Sequence, residues 1–527
     1  MEPVAQDRTL THRATGLLDT SGHWTHKHAA IQIVCVPGAS HAASIVASAM
    51  ARTISRSNLA SAPLVAFVAL AAGAMAVRMP QLAVAGTLMV LLFAIRVESR
   101  SAGLTTLWIY WLLMPALRRV LDLITSAPSA DPLSVLPFVA TALLALMELR
   151  ENRLSRKART ILALAALGFL IGVPTGLVAD PAAATFAATA YVAGLSAFVI
   201  GWGDEVRPQT GSTLERVLKV ALVPLAIYGI AQYFLPLTSW DSNWVASAAL
   251  ASIKAPQEGH IRVFSTLNSP FTFAILLAVG IMLAVSARRR FGQGFLYMLP
   301  LVVALALTFV RSAWLSLVVG LFVYAAAAKG RAAGKTVAIV LVCLAGVVVV
   351  GSSNPTTKAF TDRITSLGNP ESDVSAKERL ETTNRLLPQS VKQPIGAGLG
   401  QAGLAASLSE SSEAGVVEVD DGYLALLYQS GPLAFLLVVY ALFASVGAAI
   451  AALGRAPPGE RTYRAVILAI LVMLLVAEAS ADVLFGIPGV VFWYLAGLSV
   501  AAVSGKPVGE ERAAPAINRL SASAATP

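Results

Sequence analysis

Residues 433–452 read LAFLLVVYALFASVGAAIAA, an uncharged run in which Ala, Leu and Val follow one another with no period of two. A membrane β-strand alternates apolar and polar residues, so a run of this kind excludes a β-barrel. It predicts a helix that spans a bilayer, which takes about 20 mainly apolar residues. Working outward, similar runs predict further helices at roughly 59–77, 80–95, 102–117, 132–149, 159–175, 182–202 and 215–235. A second series is expected at roughly 269–287, 294–310, 312–328, 334–352, 421–452, 463–480 and 484–504. The expected fold class is all-α, a polytopic membrane protein of about 12–14 transmembrane helices. Only 13% of the 527 residues are charged and the mean hydropathy is +0.71. Soluble globular chains carry about 25% charged residues, so a water-soluble enzyme is excluded.

The formal charge of +10 does not point to nucleic acid, because the basic residues sit in short loops between apolar runs. With the N-terminus inside, the clusters around 96–100, 150–159, 204–207, 288–290, 329–335 and 455–464 all fall on the cytoplasmic side, as the positive-inside tendency requires. The expected organisation has five parts, with boundaries good to about four residues. A cytoplasmic tail over 1–55 precedes a helix bundle over 56–352 with an outer loop near 236–268. A large periplasmic loop over 353–420 follows, then C-terminal membrane helices over 421–504 and a cytoplasmic tail over 505–527. Within the large loop, SAKERLETTNRLL (375–387) is patterned as an amphipathic helix, and PIGAGLG (394–400) lets backbone approach something closely. Cys35 and Cys343 are too few for a disulfide framework or a Cys-rich metal site, and His260 stands alone in the body of the chain, so no zinc site is expected.

Charge at the outer ends of membrane helices is where chemistry is sought. Arg262 opens RVFSTLNSPFTFA and Arg311 lies in FVRSAWLSL, both at the expected non-cytoplasmic surface. Two guanidiniums there can grip a phosphate or pyrophosphate bidentately; the plain alternative is contact with lipid headgroups. Asp420 and Asp421 precede a membrane helix in VDDGYLALLYQSG. One of them is a candidate general base, against the plain reading of a helix N-cap. Tyr423 is a candidate sugar contact or an interfacial aromatic. Arg379 and Arg385, on the loop helix, extend the anion site or simply charge an exposed face. Glu478 and Asp482, four residues apart, are read as one helix face that pairs with the arginines or marks the water boundary.

From about Arg216 to Leu495 the chain resembles the O-antigen ligase and polysaccharide polymerase family of bacterial inner-membrane proteins. The resemblance is carried, in order, by IYGIAQYF (227–234), RVFSTLNSP (from Arg262), FVRSAWLSL, PIGAGLG and DDGYLALLYQSG. It implies a GT-C-like architecture and metal-independent, cofactor-free transfer of a glycan from an undecaprenyl-pyrophosphate carrier at the periplasmic face. Arg262 and Arg311 would then contact the phosphates, with Arg379, Arg385 and Tyr423 completing the substrate site. Asp420 occupies the position where ligases carry His, with Leu424 four and Gly431 eleven residues on, as in the ligase motif. That departure favours a repeat-unit polymerase, with Asp420 or Asp421 as the acceptor-side carboxylate, over a ligase acting on lipid A core or protein. A flippase for the same lipid is the third reading; polar residues at the bilayer midplane and an internal repeat, its usual marks, are both missing from the sequence. Partners implied by the resemblance are the lipid-linked glycan, membrane lipid, a chain-length regulator and a flippase.

Overall fold

A backbone N–H or C=O left unpaired in hydrocarbon is costly, so the long apolar runs must close their hydrogen bonds within themselves as helices. The structure, a computed structural model, describes residues 80–125, 132–207, 212–247, 253, 261–286, 291–328, 334, 337–338, 374–406, 419 and 421–504. The helix expected at 59–77, most of that at 334–352, both tails, most of the loop at 353–420 and Asp420 lie outside these residues.

The first helices are α1 (Pro80–Glu98), α2 (Arg100–Thr125), α3 (Pro132–Glu151), α4 (Arg156–Ile171), α5 (Val173–Ala179), α6 (Pro181–Val206), α7 (Thr213–Phe234) and α8 (Ser239–Ser247). They continue with α9 (Pro270–Ser286), α10 (Phe291–Leu307), α11 (Arg311–Ala328), α12 (Val374–Lys392), α13 (Gly403–Ala406), α14 (Gly422–Arg455), α15 (Arg461–Glu478) and α16 (Gly486–Ser504). Counting α4 and α5 as one stretch, 8 helices among the described residues are long and apolar enough to cross a membrane, and Pro270–Val285 and Leu296–Leu307 are shorter apolar helices. The protein is thus an all-α polytopic membrane protein.

Helix α16 lies at the centre, buried at every residue from Ile487 to Ala501. It packs on α6 through small residues: a Cβ at Gly201 would collide with the Tyr494 carbonyl, and one at Gly497 with the Phe198 carbonyl. Backbones approach this closely only where neither helix carries a side chain at the crossing.

At the expected cytoplasmic end, the basic residues read as topology signals are tied into carboxylates. Glu148, fully buried, accepts from Arg96 at 3.0 Å and Arg100 at 2.8 Å, and Arg100 reaches Asp204 at 2.7 Å. Asp204 also accepts from the Thr213 hydroxyl and from Tyr494, while Arg464 pairs with Glu205. Two expected boundaries are corrected, one by this network and one by the pairing of Arg118 with Asp122 and Arg119 with Asp241. Helix α6 runs through Asp204 to Val206, where a loop was expected, and α2 runs past Arg118 and Arg119 to Thr125 instead of stopping near 117. Charge that is paired inside the bundle does not end a helix; only unpaired charge must reach water.

Two membrane helices are broken at one level. α4 gives way to α5 at Gly172, and α14 is kinked at Gly431, whose φ of 80° and following Pro432 interrupt the helical ladder. Carbonyls freed by such breaks need donors. At Gly431 they come from the PIGAGLG segment: Ala397 N–H donates to Tyr428 O at 2.8 Å and Gly398 N–H to Gln429 O at 3.0 Å, while Leu399 N–H adds a bond at 2.7 Å to Gly172 O, which also accepts Gly176 N–H at 3.1 Å. Gly400 N–H completes the seam with the Gln429 side-chain oxygen at 2.7 Å. Gly398 (φ 118°) and Gly400 (φ 85°) adopt backbone conformations that residues with a Cβ resist.

A Cβ at Gly398 would meet Gly176 N at 2.6 Å, and one at Gly431 would collide with Pro394 O. Gly398→Ala and Gly431→Ala should therefore each destabilise the protein by roughly 2 kcal/mol or more. Gly447→Ala, in the same helix with nothing within 4 Å, should be neutral or slightly stabilising. Thermal unfolding of the three variants in detergent checks this, and equal melting temperatures would contradict the docking described.

Candidate functional site

The expected outer end of the bundle gathers two groups of side chains. The first surrounds residues 261–269, which run between α8 and α9. Gln232, near the end of α7, accepts from Ser265 N–H at 2.7 Å and donates to Ser265 O at 3.2 Å. Ser265 is held at φ 56°, with its hydroxyl donated to Leu225 O at 2.7 Å. The tight α10–α11 turn has Phe309 at φ 55°, and Trp314 Nε1 donates to Leu305 O at 3.1 Å across it. Val263 N–H bonds Leu307 O at 3.3 Å, joining the two segments. Arg262 thus stands next to the residue that reaches the α10–α11 turn, and Arg311 opens the helix that leaves that turn. The two sequence-predicted arginines are brought to one junction, at a helix N-terminus whose dipole favours anions.

The second group is built on the N-terminus of α14. Asp421 is its N-cap, Oδ1 accepting from Tyr423 N–H at 2.9 Å and Leu424 N–H at 3.2 Å. The capping expected of one aspartate is therefore carried by Asp421. Burial raises the Asp421 carboxyl above the usual carboxylate range, opposed by these two N–H groups and by the charge of Arg379. Helix α12 brings Arg379 there by burying Leu386 against Ala402, Val419, Leu424 and Ala425. The helix is longer than the 375–387 expected, reaching Lys392. Arg385 is exposed on it, and Tyr423 donates its hydroxyl to Leu475 O on α15 at 2.8 Å.

Glu478 and Asp482 do not share a helix face, because α15 ends at Glu478. Glu478 Oε2 instead accepts Val483 N–H at 2.7 Å and Leu484 N–H at 3.0 Å, stitching the α15–α16 turn. Asp482 accepts from the Tyr191 hydroxyl at 3.1 Å and from Phe485 N–H at 3.1 Å. A Cβ at Gly422 would collide with Glu478 Oε1, so glycine at that position lets the cap of α14 sit against this turn. A separate cavity of about 360 Å³ between α3, α5 and α6 is lined by residues such as Phe138, Leu143, Val173 and Val192, with no ionisable group. It can hold hydrocarbon and does no chemistry on a phosphate.

What sequence reasoning missed is the interior support of the first group. Arg119 and Asp241, both fully buried, pair at 2.7 Å. The available signal was an arginine placed just past the expected end of a short membrane run.

Architecture and site together define a polytopic helical membrane protein with arginines and a capped carboxylate at one end. Residues 295–439 match the sequence model of the O-antigen ligase family, so the resemblance to that family is borne out over the stretch from α10 to the first half of α14. That stretch contains Arg311, Arg379, Arg385, Asp420, Asp421 and Tyr423; Arg262 precedes it. No curated protein matches the chain.

Burial pushes the Asp482 carboxyl up to about 6, against the Tyr191 hydroxyl and Phe485 N–H, which favour its ionised form. A carboxyl raised above its unfolded value of about 4 is best accommodated protonated, so the contribution of Asp482 to folded stability is most favourable at low pH and declines between about pH 4 and pH 6. The loss from this group is on the order of 3 kcal/mol. Asp482→Asn should flatten that part of the stability profile; a variant retaining the full decline would assign it to another group.

Proposed function

We infer that this protein is a glycosyltransferase of the bacterial inner membrane, using an undecaprenyl-pyrophosphate-linked glycan at the periplasmic face and polymerising repeat units of an exopolysaccharide or O-antigen. The observation that carries this reading is the junction of Arg262 and Arg311 at the same end of the bundle as the Asp421 cap, with Arg311 and Asp421 inside the family-matched stretch.

In the reaction, the acceptor hydroxyl oxygen attacks the anomeric carbon of the donor. The carbon–oxygen bond to the carrier breaks, and its electron pair leaves on the pyrophosphate. Arg262 and Arg311 meet the negative charge that develops there; preorganised donors of this kind are worth about 10²–10³ in rate each. The hydroxyl proton passes to a carboxylate, Asp420 or Asp421. A carboxylate of ordinary pKa is a weak base for an alcohol, and burial of Asp421 moves it in the useful direction. Proton transfer late in the reaction, after the anomeric carbon has become oxocarbenium-like, removes the remaining mismatch. Arg379 acts on the same carboxylate and holds part of it ionised.

The second reading, a ligase that moves finished glycan to lipid A core or protein, is favoured by the description of the matched family. Asp in place of His at position 420 weighs against it.

The test is the glycan profile of a deletion strain complemented with variants. Arg262→Ala, Arg311→Ala and Asp421→Ala, each present in the membrane, should reduce long-chain product by about 10²-fold or more. Asp421→Asn separates the two roles of that residue, because Asn caps helices as well as Asp but takes no proton. If Asp421→Asn stays active, Asp421 is only a cap and the base is Asp420. Single repeat units left in the deletion strain support the polymerase; long chains accumulating on the carrier would make the protein a ligase.

A further inference from the structure

Arg119 lies in the last two turns of α2, and Asp241 in α8; neither side chain has any solvent exposure. Taking two charges out of water costs several kcal/mol per ion, and apolar residues of similar volume often do as well for stability. The pair is therefore explained by what it fixes, not by the stability it adds. Its contacts converge on two consecutive residues, Phe264 and Ser265, and the next, Thr266, is tied to α2 directly. Arg119 NH1 pairs with Asp241 while NH2 donates to Ser265 O at 2.8 Å, and the guanidinium lies 4.9 Å from the Phe264 ring centre and 5.5 Å from that of Trp244. Gln232 donates to Asp241 at 2.8 Å and accepts from Ser265 N–H, so one amide joins the ion pair to the same backbone. Tyr228 donates to Asp241 at 2.6 Å, and Thr266 donates to Leu112 O at 2.7 Å.

Ser265 occupies the left-handed region, which a residue with a Cβ leaves unless its surroundings hold it. Two residues before Phe264 comes Arg262, whose N–H bonds Ile253 O at 2.8 Å. The clamp thus sets the register in which the chain delivers Arg262 to the α10–α11 turn.

We propose that Arg119, Asp241 and Gln232 are positioning residues for the pyrophosphate site, fixing the 264–266 backbone so that Arg262 is presented beside Arg311. The proposal rests on the function inferred above and assigns no contact with substrate to the three residues.

The experiment uses the full chain in lipid nanodiscs, with farnesyl pyrophosphate as the probe and melting temperature measured on the same samples. Arg262→Ala is the reference. Arg119→Lys keeps a charge for Asp241 but lacks a fork that can also reach Ser265 O. The double variant Arg119→Met with Asp241→Leu removes both charges together, leaving no uncompensated ion. All three should weaken probe binding by roughly tenfold, with Arg119→Lys and the double variant melting within a few degrees of wild type. If Arg262→Ala weakens binding while Arg119→Lys and the double variant bind like wild type, the ion pair is only structural and the proposal is overturned. If Arg262→Ala itself binds like wild type, the proposal falls together with the functional reading, and the reference variant tells the two failures apart. Should the double variant fail to fold, Arg119→Lys decides.

Discussion

The constraint on which the structure depends is that no backbone polar group can be left unpaired at membrane depth. Most helices meet it alone, but α14 is broken at Gly431, where the carbonyls of Tyr428 and Gln429 are met by N–H groups of Ala397 and Gly398, and Leu399 N–H ties the same segment to Gly172 between α4 and α5. A loop segment thereby becomes part of the membrane core. Helix α12, one turn upstream, is fixed to α14 by that docking and by burial of Leu386. The carboxylate side of the site, Asp421 with the charge of Arg379 nearby, depends on both contacts.

The arginine side follows the opposite strategy. Where the glycine loop uses main-chain groups in a place too narrow for side chains, residues 264–266 are held by a buried ion pair, an amide and two hydroxyls. The two halves of the site rest on different parts of the bundle, α2, α7 and α8 for one, α4, α12 and α14 for the other. Between them α11 and α15 pack closely enough that a Cβ on Gly320 would lie 3.1 Å from Met473.

Uncharged runs are sufficient to read the helices, because nothing but a helix closes such a run in lipid. Counting charges misplaces their ends wherever a charge is paired inside: Arg119 and Asp204 both lie within helices that were expected to have stopped. At Glu478 and Asp482 the opposite holds: a regular spacing predicts one helical face, but the helix ends at Glu478 and the turn that follows uses both carboxylates as acceptors. Arg262 and Arg311 could be chosen from the sequence because membrane-level arginines are rare and expensive. Arg119 and Asp241 could not be paired, since residues so far apart in the chain meet only in the folded bundle. Likewise the PIGAGLG segment announced a close approach of backbone without naming Gly172 or Gln429 as its target.

The docking of residues 396–400 also sets an order of assembly. Their partners lie on both sides of them in the chain: Gly172 is made long before, Tyr428 and Gln429 only afterwards. During synthesis the large loop must therefore wait outside the bundle until α14 has been inserted, and the carboxylate half of the site is among the last parts to form. A nascent chain stopped short of α14 carries Arg262, Arg311 and the clamp around Ser265, yet lacks Tyr428 and Gln429, the acceptors for Ala397 and Gly398.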